Sequence, residues 1–148
     1  FATQIFQWMI HPISVEQFYD EYWEQKPLLI QRKDPSYYSK WFSLRDIELM
    51  LEGDPGLVYG EDVDVTLYKD GVRSTLNKEG RATPGRVWKM FRERGCSLRL
   101  LHPQTHSDAI LRMLSALEGQ WSSFAGCNVY LTPRGSQGFA PHYDDIEA

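Results

Sequence analysis

Residues 124–148 read FAGCNVYLTPRGSQGFAPHYDDIEA, and their pattern organises the end of the chain. The apolar and aromatic run at 124–132 predicts a strand. Residues 133–138 are turn formers, and an extended run resumes at Phe139. The sequence therefore predicts two strands joined by a glycine-rich loop.

The second extended run carries a His and an Asp two residues apart. Side chains alternate between the faces of a strand, so His142 and Asp144 would project from one side. Together they would supply two of the three ligands of a two-His-one-carboxylate Fe(II) site. Because H-x-D triplets are also common at solvated strand ends and turns, the triplet alone leaves both interpretations open. The remaining histidines lie in contexts typical of caps or surfaces: His11, His102 and His106.

Composition limits the class of protein. A chain of 148 residues that is 42% apolar and 14% aromatic can bury a sizeable core, which is atypical of disordered segments. A net charge of −4 and a pI near 5.5 provide no bulk basic surface, so we expect no direct nucleic-acid partner. Cys96 and Cys127 are too few for a disulfide scaffold or a zinc cluster, which favours a reducing compartment.

The sequence gives no sign of membrane association or secretion. No apolar run approaches the roughly 18 residues of a membrane-spanning helix. Residues 1–10 lack the basic start and the cleavage site of a signal peptide. We therefore expect a soluble, intracellular protein. Since the sequence begins without Met and ends within an extended run, we interpret it as a fragment of a longer chain.

Helices predominate in the first third. Ser14 can cap a helix that has Gln17 at its third position, and the aromatic residues within 18–23 share one face, which predicts core packing. A short strand is predicted at 28–31, and a second helix at 43–51.

Strands alternate with helices in the middle of the chain. Strands are predicted at 57–59, 63–68 and 72–76, and Asp70-Gly71 predicts a hairpin turn because this pair tolerates positive φ. The further predicted elements are a helix from Pro84 that Gly95 ends, a strand at 97–101, and a helix capped by Thr105 that runs to about Leu117.

The order of these elements predicts an α+β fold. Helices gather early and short strands gather late, so we expect a sheet that rolls toward a sandwich or barrel. The predicted strands cannot close a barrel alone. The missing strands are expected downstream of Ala148 or on another chain.

Several motifs resemble the JmjC-domain ribosomal oxygenases. They are GCNVYLTP at 126–133, GSQG at 135–138, PHYDDIEA at 141–148 and HPQ at 102–104. The resemblance is nearest to the nucleolar histidyl-hydroxylase branch. It is dense over 98–148 and continues more loosely toward the beginning of the chain.

This resemblance implies a fold and an activity. Residues 1–148 would hold an N-terminal helical region and the first half of a double-stranded β-helix, the cupin or JmjC barrel, with the remainder downstream. The centre would use Fe(II) and 2-oxoglutarate to hydroxylate a histidine of a ribosomal protein. Lysine demethylation of histone H3 would be a disputed second activity. Residence in the nucleus and nucleolus, and a homo-oligomer for the full-length protein, are also implied.

The resemblance also implies roles for individual residues. His142 and Asp144 correspond to iron ligands and are the predicted catalytic residues. Asn128 corresponds to a position near 2-oxoglutarate. The second iron-binding His and the Lys that pairs with 2-oxoglutarate belong downstream of Ala148. The predicted substrate-binding residues are Tyr130, Arg99 and Asp64.

Each of these residues also has a plainer interpretation. Asn128 can bond neighbouring backbone, and Tyr130 can be a half-buried strand aromatic. Arg99 and Asp64 alternate with apolar neighbours, which is typical of solvent-facing strand positions. Two other functions remain open: a non-catalytic cupin-like module that recruits ribosomal or chromatin partners, and a cupin that uses Mn or Zn.

Overall fold

The protein, seen here in a computed structural model, is described over residues 1–143. The chain divides into two compact units. Unit 1 combines Phe1–Ser43 with Gln104–Gly126, and unit 2 combines Leu44–Pro103 with the residues from Cys127 onward. The helices are α1 (Ala2–Ile10), α2 (Val15–Glu21), α3 (Leu44–Glu52), α4 (Pro84–Arg94) and α5 (Asp108–Trp121), and the strands are β1 (Val63–Lys69), β2 (Val72–Thr75), β3 (Ser97–Leu101) and β4 (Asn128–Leu131).

An aromatic cluster holds unit 1 together where α1 packs against α5. The buried ring of Phe6 lies edge-on to two others, with its centroid 5.1 Å from that of Phe18 and 4.8 Å from that of Trp121. Edge-to-face contacts of this kind are favoured by the charge distribution of aromatic rings. Tyr19 and Trp23 join the same cluster. The predicted packing role is therefore confirmed for the half-buried Phe18, Tyr19 and Trp23. The ring of Tyr22 instead lies under the Lys26 ammonium, and α2 ends at Glu21.

Side chains from an irregular segment cap the C-terminal end of α1. The Arg32 guanidinium donates to the Met9 carbonyl at 2.6 Å, and the Tyr37 hydroxyl donates to the Trp8 carbonyl at 2.6 Å. The guanidinium carbon also lies 3.9 Å from the centroid of the Tyr37 ring. The last carbonyls of a helix have no partner within the helix. These donors therefore satisfy groups that α1 leaves open.

One antiparallel sheet with the strand order β2-β1-β3-β4 forms the base of unit 2. The register places Asp64 of β1 opposite Arg99 of β3. The predicted hairpin turn between β1 and β2 is confirmed, because Asp70 and Gly71 both have positive φ, at 52° and 79°. That turn fixes which side chains of β1 and β2 lie side by side.

The two faces of the sheet differ in chemistry because side chains alternate along each strand. One face carries Val63, Val65, Leu98 and Leu100, each at most 2% exposed. Buried residues of α3 and α4 add to the apolar core of this unit. The opposite, polar face is formed by Asp64, Thr66, Ser97, Arg99, Asn128 and Tyr130.

The ends of the helices follow local chemistry. The Ser14 side chain accepts from the amide of Gln17 at 3.0 Å, as predicted for α2. Helix α4 has Pro84 in its first turn and a left-handed Gly95 after its last, also as predicted. The predicted cap at Thr105 is wrong, because 103–105 form a short 3-10 helix. The cap of α5 is instead Ser107.

Several predicted elements differ from the structure. Helix α1 was not among the predicted elements. The strand expected at 28–31 is irregular, and the one at 57–59 is reduced to isolated bridges. The strand expected at 124–132 is shortened to β4, and 139–142 lie outside any strand. Extended propensity becomes a strand only where a neighbouring strand completes the hydrogen bonds, and these segments have none over most of their length.

The α+β prediction is confirmed at the level of helices combined with an antiparallel sheet. The sheet does not close on itself within residues 1–143, so that part of the chain contains no complete double-stranded β-helix. In the same residues, no helix combines the length and the apolar character needed to cross a membrane.

Replacing Arg32 tests the cap on α1. Arg32→Ala removes one of two donors to the Met9 carbonyl and the cation over Tyr37, while the Tyr38 hydroxyl still donates to that carbonyl at 2.8 Å. We therefore expect the free energy of unfolding to fall by about 1 kcal/mol. Urea denaturation followed by tryptophan fluorescence would measure the loss. Arg45→Ala is the control, since Arg45 forms an exposed ion pair with Glu48 and should leave the midpoint unchanged. Equal midpoints for the two variants would contradict the cap.

Candidate functional site

Three of the residues predicted from the sequence form one row across the sheet. Asp64 of β1 lies opposite Arg99 of β3, and Arg99 lies opposite Tyr130 of β4. Directly paired residues of antiparallel strands project from the same face with their Cβ atoms about 5 Å apart. The register therefore brings together side chains from three strands that are distant in sequence.

The carboxylate of Asp64 is buried and fully engaged. Arg99 Nη2 donates to Asp64 Oδ2 at 2.6 Å, and Asn77 Nδ2 donates to Asp64 Oδ1 at 2.8 Å. Asp64 is 6% exposed, so the solvent-facing interpretation of this residue is wrong. The period-two pattern correctly places Asp64 on the opposite face of β1 from its apolar neighbours. That polar face is nevertheless shielded from solvent at Asp64. The two oxygens of the Asp64 carboxylate thus hold the side chains of Arg99 and Asn77 in place.

The Arg99 guanidinium is oriented by this carboxylate and partly desolvated. Its side chain is 25% exposed, which places it between the buried Asp64 and the open surface. Within residues 1–143, Arg99 Nε is buried without a hydrogen-bond acceptor. A buried donor of this kind is costly unless another group satisfies it. Asp64 therefore fixes the position of the Arg99 guanidinium, and part of the Arg99 side chain remains accessible.

Strand β4 carries the exposed members of the row. Tyr130 is 45% exposed, and its ring lies edge-on to that of Phe139 with the centroids 5.3 Å apart. Asn128 lies two residues earlier on the same face and is exposed. Both side chains are accessible to a ligand, as the predictions for a cosubstrate position and a substrate position require.

The segment after β4 crosses the polar face before it reaches His142. The amide of Tyr68 donates to the Gln137 carbonyl at 2.8 Å. Gly138 is buried so closely that a Cβ there would lie 2.4 Å from the Cβ of Ser97. His142 follows, and its Nδ1 lies 3.0 Å from the Ala140 carbonyl oxygen.

The metal pair predicted from the sequence is described only in part. His142 is exposed, and Asp144 lies outside the described residues, so their sharing of one cation stays a prediction. Among residues 1–143, no group of three or more His, Cys, Asp or Glu side chains is placed to hold a metal ion.

Three residues of the site were not predicted from the sequence. Asn77 falls in a segment that the pattern marks only as a loop, and Phe139 reads as an ordinary member of an apolar run. Arg73 lies on β2 opposite Tyr68, on the same face as the row. The Asp-Gly turn was the available signal, because it fixes the register that puts Arg73 on this face.

Cys127 lies next to Asn128 and is a half-buried free cysteine. Burial raises the pKa of the Cys127 thiol, so the neutral form is favoured at neutral pH. A neutral thiol is a weak nucleophile and a poor metal ligand. The structure is therefore consistent with a packing role for this cysteine.

Comparison with known families identifies the class of protein. Residues 99–148 match the JmjC domain family, whose domain is of the cupin type. The match begins at Arg99 and includes β4 and His142. Residues of the site that lie upstream of it are Asp64, Arg73 and Asn77.

Relatives that align with nearly the whole chain show which group of JmjC-domain proteins it resembles. The chain is 49% identical over 147 residues to the bifunctional lysine-specific demethylase and histidyl-hydroxylase NO66 of Branchiostoma floridae, covering 99% of this chain and 24% of that protein. It is 49% identical to ribosomal oxygenase 1 of Danio rerio (99% and 27% covered) and 46% identical to ribosomal oxygenase 1 of Homo sapiens (99% and 23% covered), each over 147 residues. The predicted resemblance is confirmed: the chain is related along nearly its whole length to the JmjC-domain ribosomal oxygenases. It spans about a quarter of the length of these relatives.

Replacing Asp64 tests the network around Arg99. In Asp64→Asn, one carboxylate oxygen becomes an NH2 group that opposes a donor from Arg99 or Asn77. We expect the free energy of unfolding to fall by about 2–3 kcal/mol, less than for a fully buried pair because Arg99 is partly exposed. Chemical denaturation would measure the change. Asp70→Asn in the hairpin turn is the matched control and should be neutral, since Asn also tolerates positive φ. A neutral Asp64→Asn would contradict the network.

Replacing Gly138 tests how closely the crossing segment lies on the sheet. Gly138→Ala places a methyl group against Ser97 and must displace one of the two backbones. We expect a loss of about 1–3 kcal/mol of stability. Gly126→Ala is the control, because a Cβ at Gly126 would meet no atom within 4 Å. Equal thermal midpoints for the two variants would show that the segment lies further from the sheet.

Proposed function

We propose that the full-length protein is an Fe(II)- and 2-oxoglutarate-dependent hydroxylase that acts on a histidine of a ribosomal protein. The observation that carries the proposal is the JmjC match over residues 99–148, with His142 directly after a segment that crosses the polar face. Two relatives are named histidyl-hydroxylase and ribosomal oxygenase. Because the chain spans about a quarter of these relatives, the activity belongs to the longer protein.

The environment of His142 fits a metal-binding imidazole. The Ala140 carbonyl can only accept a hydrogen bond, so Nδ1 carries the proton and a neutral ring keeps its lone pair on Nε2. Metal-binding histidines commonly donate their other N–H to a carbonyl, which orients the ring. His142 and Asp144 would hold Fe(II), and Asn128 would contact 2-oxoglutarate. When bound, Fe(II) would supply oxygen activation: O2 is the oxidant, one of its atoms enters the substrate C–H bond to give an alcohol, and the other enters 2-oxoglutarate, which is oxidised to succinate and CO2.

The remaining residues would bind and orient the substrate. Arg99, held by Asp64, presents a fixed charge and a donor, and Tyr130 presents an exposed aromatic surface beside it. The chemistry that the cofactors supply attacks whichever C–H bond is nearest, so selectivity depends on positioning more than on acid–base catalysis. The row from Asp64 to Tyr130 is suited to that task because its members come from paired strands of one sheet.

The setting of the protein is proposed on the family resemblance. We infer that the chain holds the N-terminal helical region and the first half of a JmjC barrel, which the longer protein completes. The name of one relative includes lysine-specific demethylase, which supports lysine demethylation as a second activity, and histone H3 as its substrate rests on the resemblance. Residence in the nucleus and nucleolus, and a homo-oligomer, rest on the resemblance alone. The net charge of −4 supports the absence of direct nucleic-acid binding.

Replacing His142 tests the proposed activity. In the full-length protein, His142→Ala should lower peptide-dependent 2-oxoglutarate turnover by at least about 100-fold, because a metal ligand is lost. Circular dichroism should show an intact fold. His106→Ala, an exposed histidine of unit 1, is the matched control and should retain wild-type turnover.

The same assay distinguishes the alternatives. Wild-type turnover in His142→Ala would refute the proposed role of His142. A wild-type protein that binds its ribosomal partner but never consumes 2-oxoglutarate would favour the non-catalytic binding module. Turnover supported by Mn or Zn without oxygen consumption would favour a different cupin chemistry.

A further inference from the structure

Phe139 lies at the centre of a cluster on the polar face of the sheet. The guanidinium carbon of Arg73 is 4.3 Å from the centroid of the Phe139 ring, and that of Arg99 is 5.6 Å from it. The ring of Tyr130 meets it at 88°, and the ring of His142 lies 6.1 Å away. One half-buried phenyl ring therefore contacts two predicted substrate residues and the predicted iron ligand.

The backbone just before Phe139 is held against the sheet. Gln137 accepts from the amide of Tyr68, and its side chain donates to the Phe139 carbonyl at 2.7 Å. Gly138 is in close contact with Ser97. The contacts of Gln137 and Gly138 therefore fix the backbone just before Phe139. The contacts of the Phe139 ring then orient the backbone that continues toward His142.

Arg73 contacts the Phe139 ring and lies outside residues 99–148, the part of the chain that matches the JmjC domain. Strand β2 is exposed throughout, and within residues 1–143 Arg73 forms no ion pair. Arg99 also forms an ion pair with Asp64, whereas Arg73 contacts the face of Phe139. A cation over an aromatic face stabilises both groups, more so when they are partly desolvated.

We propose that Phe139 is a positioning residue, held by Arg73, that sets the placement of His142 for metal binding. The inference rests on the proposed function in one respect, the role of His142 as a metal ligand. Arg73 lies upstream of residues 99–148, so the hairpin formed by β1 and β2 contributes to the metal centre without supplying a ligand.

Co(II) binding to the full-length protein tests this proposal without turnover. Co(II) binds the nitrogen and oxygen ligands that Fe(II) uses, and its visible absorption reports the bound state. Arg73→Gln and Phe139→Leu should each weaken Co(II) affinity about threefold to tenfold, because each removes one half of the cation–π contact. Phe139→Tyr keeps the aromatic face and should stay within about twofold of the wild type.

A double-mutant cycle separates the contact from general loss of structure. If the two residues act through each other, Arg73→Gln combined with Phe139→Leu should weaken affinity no more than the worse single variant. Val72→Ala, on the opposite face of β2 and 63% exposed, is the control and should bind Co(II) like the wild type. In the metal-free protein, hydrogen exchange of the amides at 139, 140 and 142 should be about fivefold faster in Phe139→Leu.

The results separate this proposal from the proposed function. Wild-type Co(II) affinity in Arg73→Gln and Phe139→Leu, together with loss of binding in His142→Ala, would overturn the positioning role alone. Unchanged binding in His142→Ala would overturn both. Additive losses in the double variant, or a Phe139→Tyr variant as weak as Phe139→Leu, would also overturn the pairing of Arg73 with the ring.

Discussion

A buried carboxylate needs donors for its oxygens, and Asp64 obtains them from Arg99 and Asn77. This requirement orders the polar face of unit 2. An unpaired charge in that place would cost several kcal/mol, so β1, β3 and the loop that carries Asn77 are tied to one arrangement. The Arg99 guanidinium is held in turn, and Tyr130 and Phe139 lie around it.

Local chemistry made much of the fold predictable. The Asp-Gly hairpin, the Ser14 cap and the left-handed Gly95 depend on residues within one turn, and each was predicted correctly. The irregular course of 28–43 was not, because its donors serve the carbonyls of α1, more than 20 residues away in sequence. The solvent-facing interpretation of Asp64 was wrong for a similar reason. Period-two alternation tells which residues share a face but not whether that face is covered.

Residues of the candidate site could be predicted only where they correspond to positions of the resembling family. Tyr130 and Arg99 were predicted from family resemblance, and the strand register brings them side by side. The sequence did not predict three further residues of the site: Phe139, Arg73 and Asn77. Each contacts a segment distant in sequence, and a local sequence pattern does not reveal such contacts. The pairing of His142 with Asp144 stays a prediction, since Asp144 lies outside the residues that the structure describes. The proposed iron ligands lie within the JmjC match, whereas Asp64, Arg73 and Asn77 lie upstream of it.

The row from Asp64 to Tyr130 also has a consequence for how the protein folds. Asp64 and Arg99 are 35 residues apart in sequence, and so are Ser97 and Thr132, whose hydroxyls meet at 2.8 Å. Contacts between residues so far apart in sequence form slowly, because the chain must lose the entropy of the intervening loop before the contact stabilises the fold. During synthesis, the ribosome must therefore release β4 before the row can assemble. A nascent chain that has emerged only as far as β3 therefore lacks the strand that completes the row.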